Sequence, residues 1–313
     1  MTAANDPQRT LVVVDSEFPD VSIEQRAAER WDVAVERRSA SEPSQIATAV
    51  GAAAGLLVQY LRVDAATIDA CPTLRVIGRY GVGVDNIDTD AAARCGVAVV
   101  NVPDYCVEEV ASHALALLLA AWRKVPAADR LVREGRWGER ASLEPIGALS
   151  EATLGLVGVG RIGSRLAQLA TPLFGRVAAH DPFAASLPAE VEPMGLEALL
   201  AESHAISLHV PLRPETDRLM NAERLAWMRP GSILVNVSRG ALVDTDALAR
   251  ALDGGRPAVA ALDVLPTEPP ATGERLLGDP RVLLTPHMAW YSTGSITRLR
   301  QSVAERSAAV LAS

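Results

Sequence analysis

The chain has 313 residues, enough for two domains that each bury a core of their own. Nearly half of the residues are hydrophobic, yet no uncharged apolar run approaches the roughly 18 residues of a membrane span. The opening residues, MTAANDPQRT, also lack the basic and then apolar pattern of a signal peptide, so the composition predicts a cytoplasmic protein.

Charge and cysteine content narrow the classes of partner. The net charge of −8 comes from interspersed acidic and basic residues, which leaves no basic stripe to neutralise nucleic-acid phosphates. Cys71, Cys95 and Cys106 are odd in number and form no CxxC pair, so neither a disulfide framework nor a zinc site is expected. A small metabolite is the predicted partner, with no bound metal.

The first third of the chain predicts parallel β-α-β units, because short apolar strands alternate with helical patterns. The predicted strands are TLVVVD (10–15), DVAVE (32–36), GLLVQY (55–60), RVIGRY (75–80) and VAVVNV (97–102). Helical stretches between them include PSQIATAV (43–50) and DTDAAARCG (88–96). A long helix at 108–125, EEVASHALALLLAAWRKV, follows; it is apolar nearly all round and is predicted to be buried between domains.

A second series of strands predicts a second domain. Its members are ATLGLVGVG (152–160), RVAAHD (176–181), HAISLHV (204–210), SILVNVS (232–238), AVAALDV (258–264) and VLLTPH (282–287). Runs that are apolar on both faces are typical of parallel sheets covered by helices on both sides. The closing stretch 293–312 is again helical and is expected to return to the first domain. The fold class is therefore α/β, with two parallel-sheet domains.

The stretch TLGLVGVGRIGSRLA predicts a dinucleotide site, because an apolar strand leads through Gly158, Gly160 and Gly163 into a helix. The three glycines provide the tight turn, close approach to the pyrophosphate and close packing of helix on strand. Asp181 ends the next strand, where a carboxylate would bind the adenosine ribose and repel a 2′-phosphate, which favours NAD over NADP. The alternative for Asp181 is a turn-capping residue before Pro182.

Three further strand ends carry charged groups that would meet at the ligand crevice of a doubly wound sheet. Arg239 would grip a carboxylate with its planar fork, and His287 would protonate a carbonyl oxygen. Glu268, if bonded to the far ring nitrogen of His287, would favour the imidazolium form. The alternatives are a surface arginine, a loop glutamate and a packed histidine ring.

The motifs SRGALVD, DVLPTEPP and LLTPHMAW, after GVGRIG and HVPLRPET, resemble those of the D-isomer-specific 2-hydroxyacid dehydrogenases over nearly the whole chain. The resemblance implies that Arg239 orients the substrate and that Glu268 partners the proton donor, His287. It also implies a substrate domain at 1–102 and 289–313, with a Rossmann NAD-binding domain at 103–288 that dimerises through its helical arm. The implied cofactor-binding residues are Gly158, Gly160, Arg161, Ile162, Gly163, Asp181, Val210, Pro211, Thr216, Val237, Ser238 and Asp263, the last beside the nicotinamide carboxamide.

The resemblance also implies a substrate site. The loop RYGVGVDNID is expected to hold the substrate carboxylate through backbone N–H groups at Tyr80, Gly81 and Val82. The stretch HMAWYS, with PDYCVEE upstream, is similar to the C-terminal-binding-protein subgroup, in which the tryptophan, here Trp290, lines the substrate pocket. The alternative for Trp290 is plain packing at the domain hinge.

Three functions are compatible with these residues. The first is NAD-dependent interconversion of a 2-oxo acid and its D-2-hydroxy acid. The second is an NAD(H)-sensing corepressor-like binding protein, since such proteins can retain the catalytic residues. The third is a dehydrogenase of another small anion such as phosphite, which would share Arg239, Glu268 and His287.

Overall fold

The computed structural model describes residues 6–143 and 146–313. In chain order the strands and helices are β1 (Thr10–Val13), α1 (Ser22–Glu29), β2 (Ala34–Arg37), α2 (Ile46–Val50), β3 (Gly55–Val58), α3 (Ala65–Asp69), β4 (Val76–Arg79), α4 (Thr89–Arg94), β5 (Ala98–Val100), α5 (Val107–Trp122), α6 (Val125–Arg133), β6 (Thr153–Val157), α7 (Arg161–Ala170), β7 (Arg176–His180), β8 (Glu192–Pro193), α8 (Leu196–Glu202), β9 (Ala205–Leu208), α9 (Ala222–Trp227), β10 (Ile233–Asn236), α10 (Thr245–Asp253), β11 (Val259–Leu262), β12 (Val282–Leu284) and α11 (Thr293–Ala312).

The chain divides into two compact units, one running up to Cys106 together with Tyr291–Ser313 and the other spanning Val107–Trp290. Unit 1 holds a five-stranded sheet in the order β2-β1-β3-β4-β5, and unit 2 a seven-stranded sheet in the order β12-β11-β10-β9-β6-β7-β8. Every strand pair in both sheets is parallel. The predicted α/β class with two parallel-sheet domains is confirmed.

The last helix, α11, belongs to unit 1 and packs on α1 and β4. It begins with a capping box, in which Ser292 and Ser295 each bond the other's backbone N–H. Further along, the buried Arg300 places Nη2 2.7 Å from Oε2 of the buried Glu24 on α1. Removing one member of a buried pair leaves an uncompensated charge and costs about 3–5 kcal/mol, so this pair anchors the C-terminal helix to unit 1.

The helix predicted at 108–125 ends earlier, at Trp122. Lys124 adopts a left-handed conformation with φ 52°, and Pro126 then stands in the first turn of the separate helix α6. Proline lacks the N–H that would continue α5 and restricts the residue before it, so the chain breaks and restarts here. Within unit 2, α5 packs on α7, β10 and β11, while its predicted burial between domains stays a prediction.

Two smaller features complete the fold. The short strand β8 extends the second sheet beyond β7, and the apolar periodicity did not predict it. Among the helices of the described ranges, none is long and apolar enough to cross a membrane.

Candidate active site

The predicted site residues of unit 2 follow neighbouring parallel strands. The glycine loop follows β6, Asp181 follows β7, and the remaining groups follow β9, β10, β11 and β12. The sheet order reverses direction at β6, between β9 and β7. Ligands of open α/β sheets bind outside the carboxyl ends of the strands at such a switch point. The topology therefore collects these residues along one edge of the second sheet.

The three glycines after β6 meet the steric demands of a dinucleotide loop. Gly158 has φ +92°, and a Cβ there would lie 2.8 Å from the carbonyl oxygen of His209. A Cβ on Gly163 would lie 2.3 Å from the carbonyl oxygen of Gly158, so α7 packs directly on the loop. A Cβ on Gly160 would meet no described atom within 4 Å, which leaves room above the N-terminus of α7. This cradle fits a pyrophosphate.

Asp181 both caps a turn and supports the glycine loop. Its Oδ1 accepts hydrogen bonds from the N–H groups of Phe183 and Ala184, at 3.0 and 3.1 Å. Its Oδ2 accepts a 2.8 Å hydrogen bond from the N–H of Val159, inside the glycine loop. The turn-capping alternative is thus present in the structure, and it holds the carboxylate at the position from which ribose recognition is predicted.

The other predicted cofactor residues line the same edge. Thr216 closes the turn after β9, since its Oγ1 accepts from the N–H of Arg213 at 2.8 Å and donates to the carbonyl oxygen of Pro211 at 2.7 Å. Ser238 donates from Oγ to the carbonyl oxygen of Leu208 at 2.8 Å, which ties the exits of β10 and β9 together. Of the remaining four, Arg161 is exposed, Ile162 and Val210 are half-buried, and Val237 is buried.

His287 and Glu268 form a hydrogen-bonded pair. Nδ1 of His287 lies 2.6 Å from Oε2 of Glu268, while Oε1 of the same carboxylate accepts from the N–H of Leu265 at 2.8 Å. Burial alone would raise the pKa of Glu268, but the hydrogen bond and charge of His287, the Leu265 N–H and the charge of Arg239 outweigh it and lower that pKa. Glu268 is therefore a carboxylate at neutral pH, and His287 keeps Nε2 for another partner.

Arg239 lies next to this pair and is held by its own loop. Its Nη1 donates to the carbonyl oxygen of Ser238 at 2.9 Å, and its carbonyl oxygen accepts from Nδ2 of the buried Asn236 at 2.8 Å. A Cβ on the following Gly240 would lie 1.9 Å from the carbonyl carbon of Leu265, so the two loops touch backbone to backbone. Unit 2 thus brings together all three predicted catalytic side chains.

Asp263 is buried and holds the loop that carries His287. Its Oδ1 accepts from Oγ1 of Thr285 at 2.6 Å and from the N–H of Met288 at 2.9 Å, and its Oδ2 accepts from the N–H of Ala289 at 2.9 Å. Its carbonyl oxygen accepts from the N–H of His287 at 2.8 Å. His287 has φ 52°, a conformation that costs a non-glycine residue about 1–3 kcal/mol, so these bonds oppose local strain. The predicted contact of Asp263 with the nicotinamide carboxamide stays a prediction.

The predicted carboxylate loop of unit 1 has two of its three amides engaged. The N–H of Tyr80 donates to the carbonyl oxygen of Val58, and that of Gly81 donates to the carbonyl oxygen of Arg79, both at 2.9 Å. The N–H groups of Val82 and Gly83 donate to no acceptor in residues 6–143 and 146–313. The backbone therefore supports Val82 as a donor and adds Gly83, which the repeated glycines of GVG could have indicated.

The side chain of Tyr80 points into unit 1. Its hydroxyl donates to Oε1 of Glu24 at 3.0 Å, and its ring packs on Phe18. The phenol and the backbone N–H of Tyr80 are therefore both engaged within unit 1, and its predicted donation to the substrate carboxylate has no support in the structure. In unit 2, Trp290 is half-buried three positions after His287.

His209, which the sequence analysis did not single out, lies beneath the glycine loop. Its Nε2 is 2.8 Å from Oγ of Ser207, and burial lowers the pKa of its ring to about 4. The ring is neutral at pH 7, so it supports the phosphate cradle by packing and brings no positive charge.

The fold and this edge define an α/β protein with a dinucleotide-binding Rossmann domain and a His-Glu-Arg site. The family model described as D-isomer specific 2-hydroxyacid dehydrogenase, NAD binding domain, matches residues 115–289. The chain belongs to the D-isomer specific 2-hydroxyacid dehydrogenase family, and unit 2 contains its NAD-binding domain.

Relatives support the assignment. D-3-phosphoglycerate dehydrogenase of Mycobacterium tuberculosis is 42% identical over 265 residues, which cover 83% of this chain and 50% of that protein. Glyoxylate reductase of Korarchaeum cryptofilum is 42% identical over 252 residues, 78% of this chain and 75% of that protein. The chain thus spans about half the length of the mycobacterial phosphoglycerate dehydrogenase that it matches.

Solved structures agree with the fold. The TT0316 protein of Thermus thermophilus superposes with a TM-score of 0.86 at 38% identity, covering 96% of each chain. D-lactate dehydrogenase of Aquifex aeolicus, complexed with NAD and lactic acid, superposes with a TM-score of 0.85 at 29% identity over 95% of this chain and 93% of that one. The similarity to the C-terminal-binding-protein subgroup stays a prediction.

Proposed function

We propose that this protein interconverts a 2-oxo acid and the corresponding D-2-hydroxy acid with NAD as cofactor. The observation that carries the proposal is the His287–Glu268 pair beside Arg239, at the sheet edge that also carries the glycine loop. Family membership supports the reaction class, and the named relatives act on different acids, so the substrate is a separate question.

In this proposal each side chain has one task. When bound, the nicotinamide supplies or accepts the hydride. His287 gives a proton from Nε2 to the carbonyl oxygen during reduction and takes it back during oxidation. Glu268, an acceptor for Nδ1, orients the ring and stabilises its protonated form. Arg239 holds the substrate carboxylate with its planar fork.

We also propose that the free amides of Val82 and Gly83 bind a substrate carboxylate. Backbone N–H groups at the carboxyl end of a strand form an anion site without adding a charge.

The protein is further proposed to be a homodimer that uses α6 and the segment after it. Val125, Val132 and Trp137 of that arm are 53%, 48% and 80% exposed, apolar surface that a second copy would cover.

A screen of NADH oxidation with 2-oxo acids of different chain length tests both the reaction and the role of Trp290. If the indole lines the pocket, larger apolar 2-oxo acids should be better substrates than pyruvate or glyoxylate. Each extra buried methylene contributes about 0.8 kcal/mol, so three carbons would gain on the order of 2 kcal/mol. Trp290→Ala should remove much of that gain and leave glyoxylate nearly unaffected. Equal losses of kcat/KM for short and long substrates would show that the ring only supports the fold.

Cofactor choice gives a second test. NADH should bind at least tenfold more tightly than NADPH, a difference of about 1.4 kcal/mol, because the Asp181 carboxylate repels a 2′-phosphate. Asp181→Asn removes the charge and keeps one oxygen for the N–H groups of Phe183 and Ala184, so it should lower the ratio of NADH affinity to NADPH affinity. Loss of the hydrogen bond from the N–H of Val159 should also lower the melting temperature. Calorimetric titrations that give equal affinities for both cofactors to the unmodified protein would contradict this role of Asp181.

A further inference from the structure

His113, on α5, contacts the network beneath the catalytic loop. Its side chain is only 20% exposed, and its Nε2 lies 3.0 Å from Oγ1 of Thr285. The Thr285 hydroxyl donates its proton to Oδ1 of Asp263 at 2.6 Å. Because a hydroxyl has a single proton, the Thr285 oxygen can only accept from His113, and Nε2 of His113 must therefore carry a proton.

This link continues to the backbone around His287. The carboxylate of Asp263 accepts from the N–H groups of Met288 and Ala289, and its carbonyl oxygen accepts from the N–H of His287. The same N–H also reaches the carbonyl oxygen of Thr285 at 3.0 Å. His113 thus donates into a chain of hydrogen bonds that reaches the backbone of His287, whose φ is 52°, and the backbone of the two residues that follow it.

The position of Nε2 adds an electrostatic contribution. It lies 3.6 Å from Oδ1 of Asp263, whose side chain is almost wholly buried. A buried carboxylate needs donors for all of its lone pairs, and an N–H dipole or an imidazolium at this distance stabilises it. Without His113, Thr285 would be left as an acceptor with no donor, and its hydroxyl would be free to turn away from Asp263.

We propose that His113 is a positioning residue for His287 and acts through Thr285 and Asp263. The proposal rests on the proposed function, in which His287 transfers the proton. A misplacement of the ring by about 1 Å can cost up to about 10²-fold in rate, even when the ring keeps its hydrogen bond to Glu268. The loss is therefore expected mainly in kcat, with smaller effects on NADH affinity and on the stability of the fold.

The test compares two substitutions of the same residue. His113→Gln places an amide N–H near the position of Nε2, whereas His113→Leu removes the donor and keeps an apolar side chain. We expect the leucine variant to lose about 10- to 100-fold in kcat with NADH affinity within twofold of the unmodified protein, and the glutamine variant to recover most of the loss. Ser112→Ala, an exposed neighbour on α5, is the control and should change neither quantity.

A double-mutant cycle with Thr285→Val separates this path from general damage to the helix. If His113 acts through Thr285, adding His113→Leu to Thr285→Val should cost little more than Thr285→Val alone. Losses of kcat that multiply independently would overturn the path, as would a leucine variant with unchanged kcat. Equal losses in NADH affinity and melting temperature for both His113 variants would show a purely structural role.

Amide hydrogen exchange keeps this inference testable if the proposed reaction fails. Should the unmodified protein reduce none of the 2-oxo acids, the enzymatic proposal falls, and the exchange rates of Met288 and Ala289 still report on the network. We expect faster exchange at these two amides in His113→Leu than in His113→Gln. The same rates in both variants and in the unmodified protein would refute the link between His113 and the loop.

Discussion

His287→Asn is expected to lower kcat by about 10²- to 10⁴-fold, which is the usual contribution of a positioned acid. The affinity for NADH should stay unchanged. The asparagine amide can occupy the position of Nδ1 and still meet Glu268, but the side chain does not reach the position of Nε2 and cannot deliver a proton near neutral pH. Nδ1 of His287 is bonded to Glu268 at 2.6 Å, so the loss would arise at Nε2. Steady-state kinetics on the best 2-oxo acid and calorimetry with NADH measure the two quantities.

Glu268→Gln is the companion variant for this experiment and tests the carboxylate partner of His287. The amide keeps an oxygen for the N–H of Leu265 but removes the negative charge that stabilises protonated His287. We expect an intermediate loss of kcat, because the neutral amide still contacts the ring but no longer stabilises its positive charge. A His287→Asn variant with near-normal turnover would remove the proton-transfer role and with it the proposed function.

Two alanine substitutions in the glycine loop should have different effects, one on the stability of the fold and the other on the affinity for NADH. Gly163→Ala places a Cβ 2.3 Å from the carbonyl oxygen of Gly158, so α7 must shift, and the free energy of unfolding should fall by about 1–3 kcal/mol. Gly160→Ala meets no described atom within 4 Å, so the protein without cofactor should keep its stability. Its Cβ would occupy the space assigned to the pyrophosphate, and NADH should bind at least tenfold more weakly, about 1.4 kcal/mol.

Gly278→Ala is the control, since its Cβ also meets no described atom within 4 Å but lies outside the loop. It should change neither the unfolding free energy nor the NADH affinity. Denaturant unfolding and calorimetry on the three variants give the comparison. If Gly160→Ala bound NADH as tightly as the control, the pyrophosphate would have to lie elsewhere.

Much of the fold could be predicted from local sequence. Apolar runs of four to six residues located the longer strands of both sheets, and the spacing of Gly158, Gly160 and Gly163 located the turn into α7. These features depend on periodicity and on backbone freedom within a few residues, which can be read along the chain. The end of α5 also had a local signal, Pro126, although the apolar pattern continued past Trp122 to Val125.

The residues that hold the site in place depended on tertiary structure. The sequence assigned no role to Asn236, Thr285 or His113, and His113 reaches Thr285 across 172 positions of the chain. Likewise, the Tyr80 phenol bonds Glu24 inside unit 1, although its neighbours in sequence predicted a ligand loop. Periodicity determines which residues form strands, whereas strand order determines which strand ends become neighbours. The sequence by itself therefore predicted which groups do the chemistry. Only the packing within each sheet and around α5 decided which side chains hold those groups in place and which amides are already engaged.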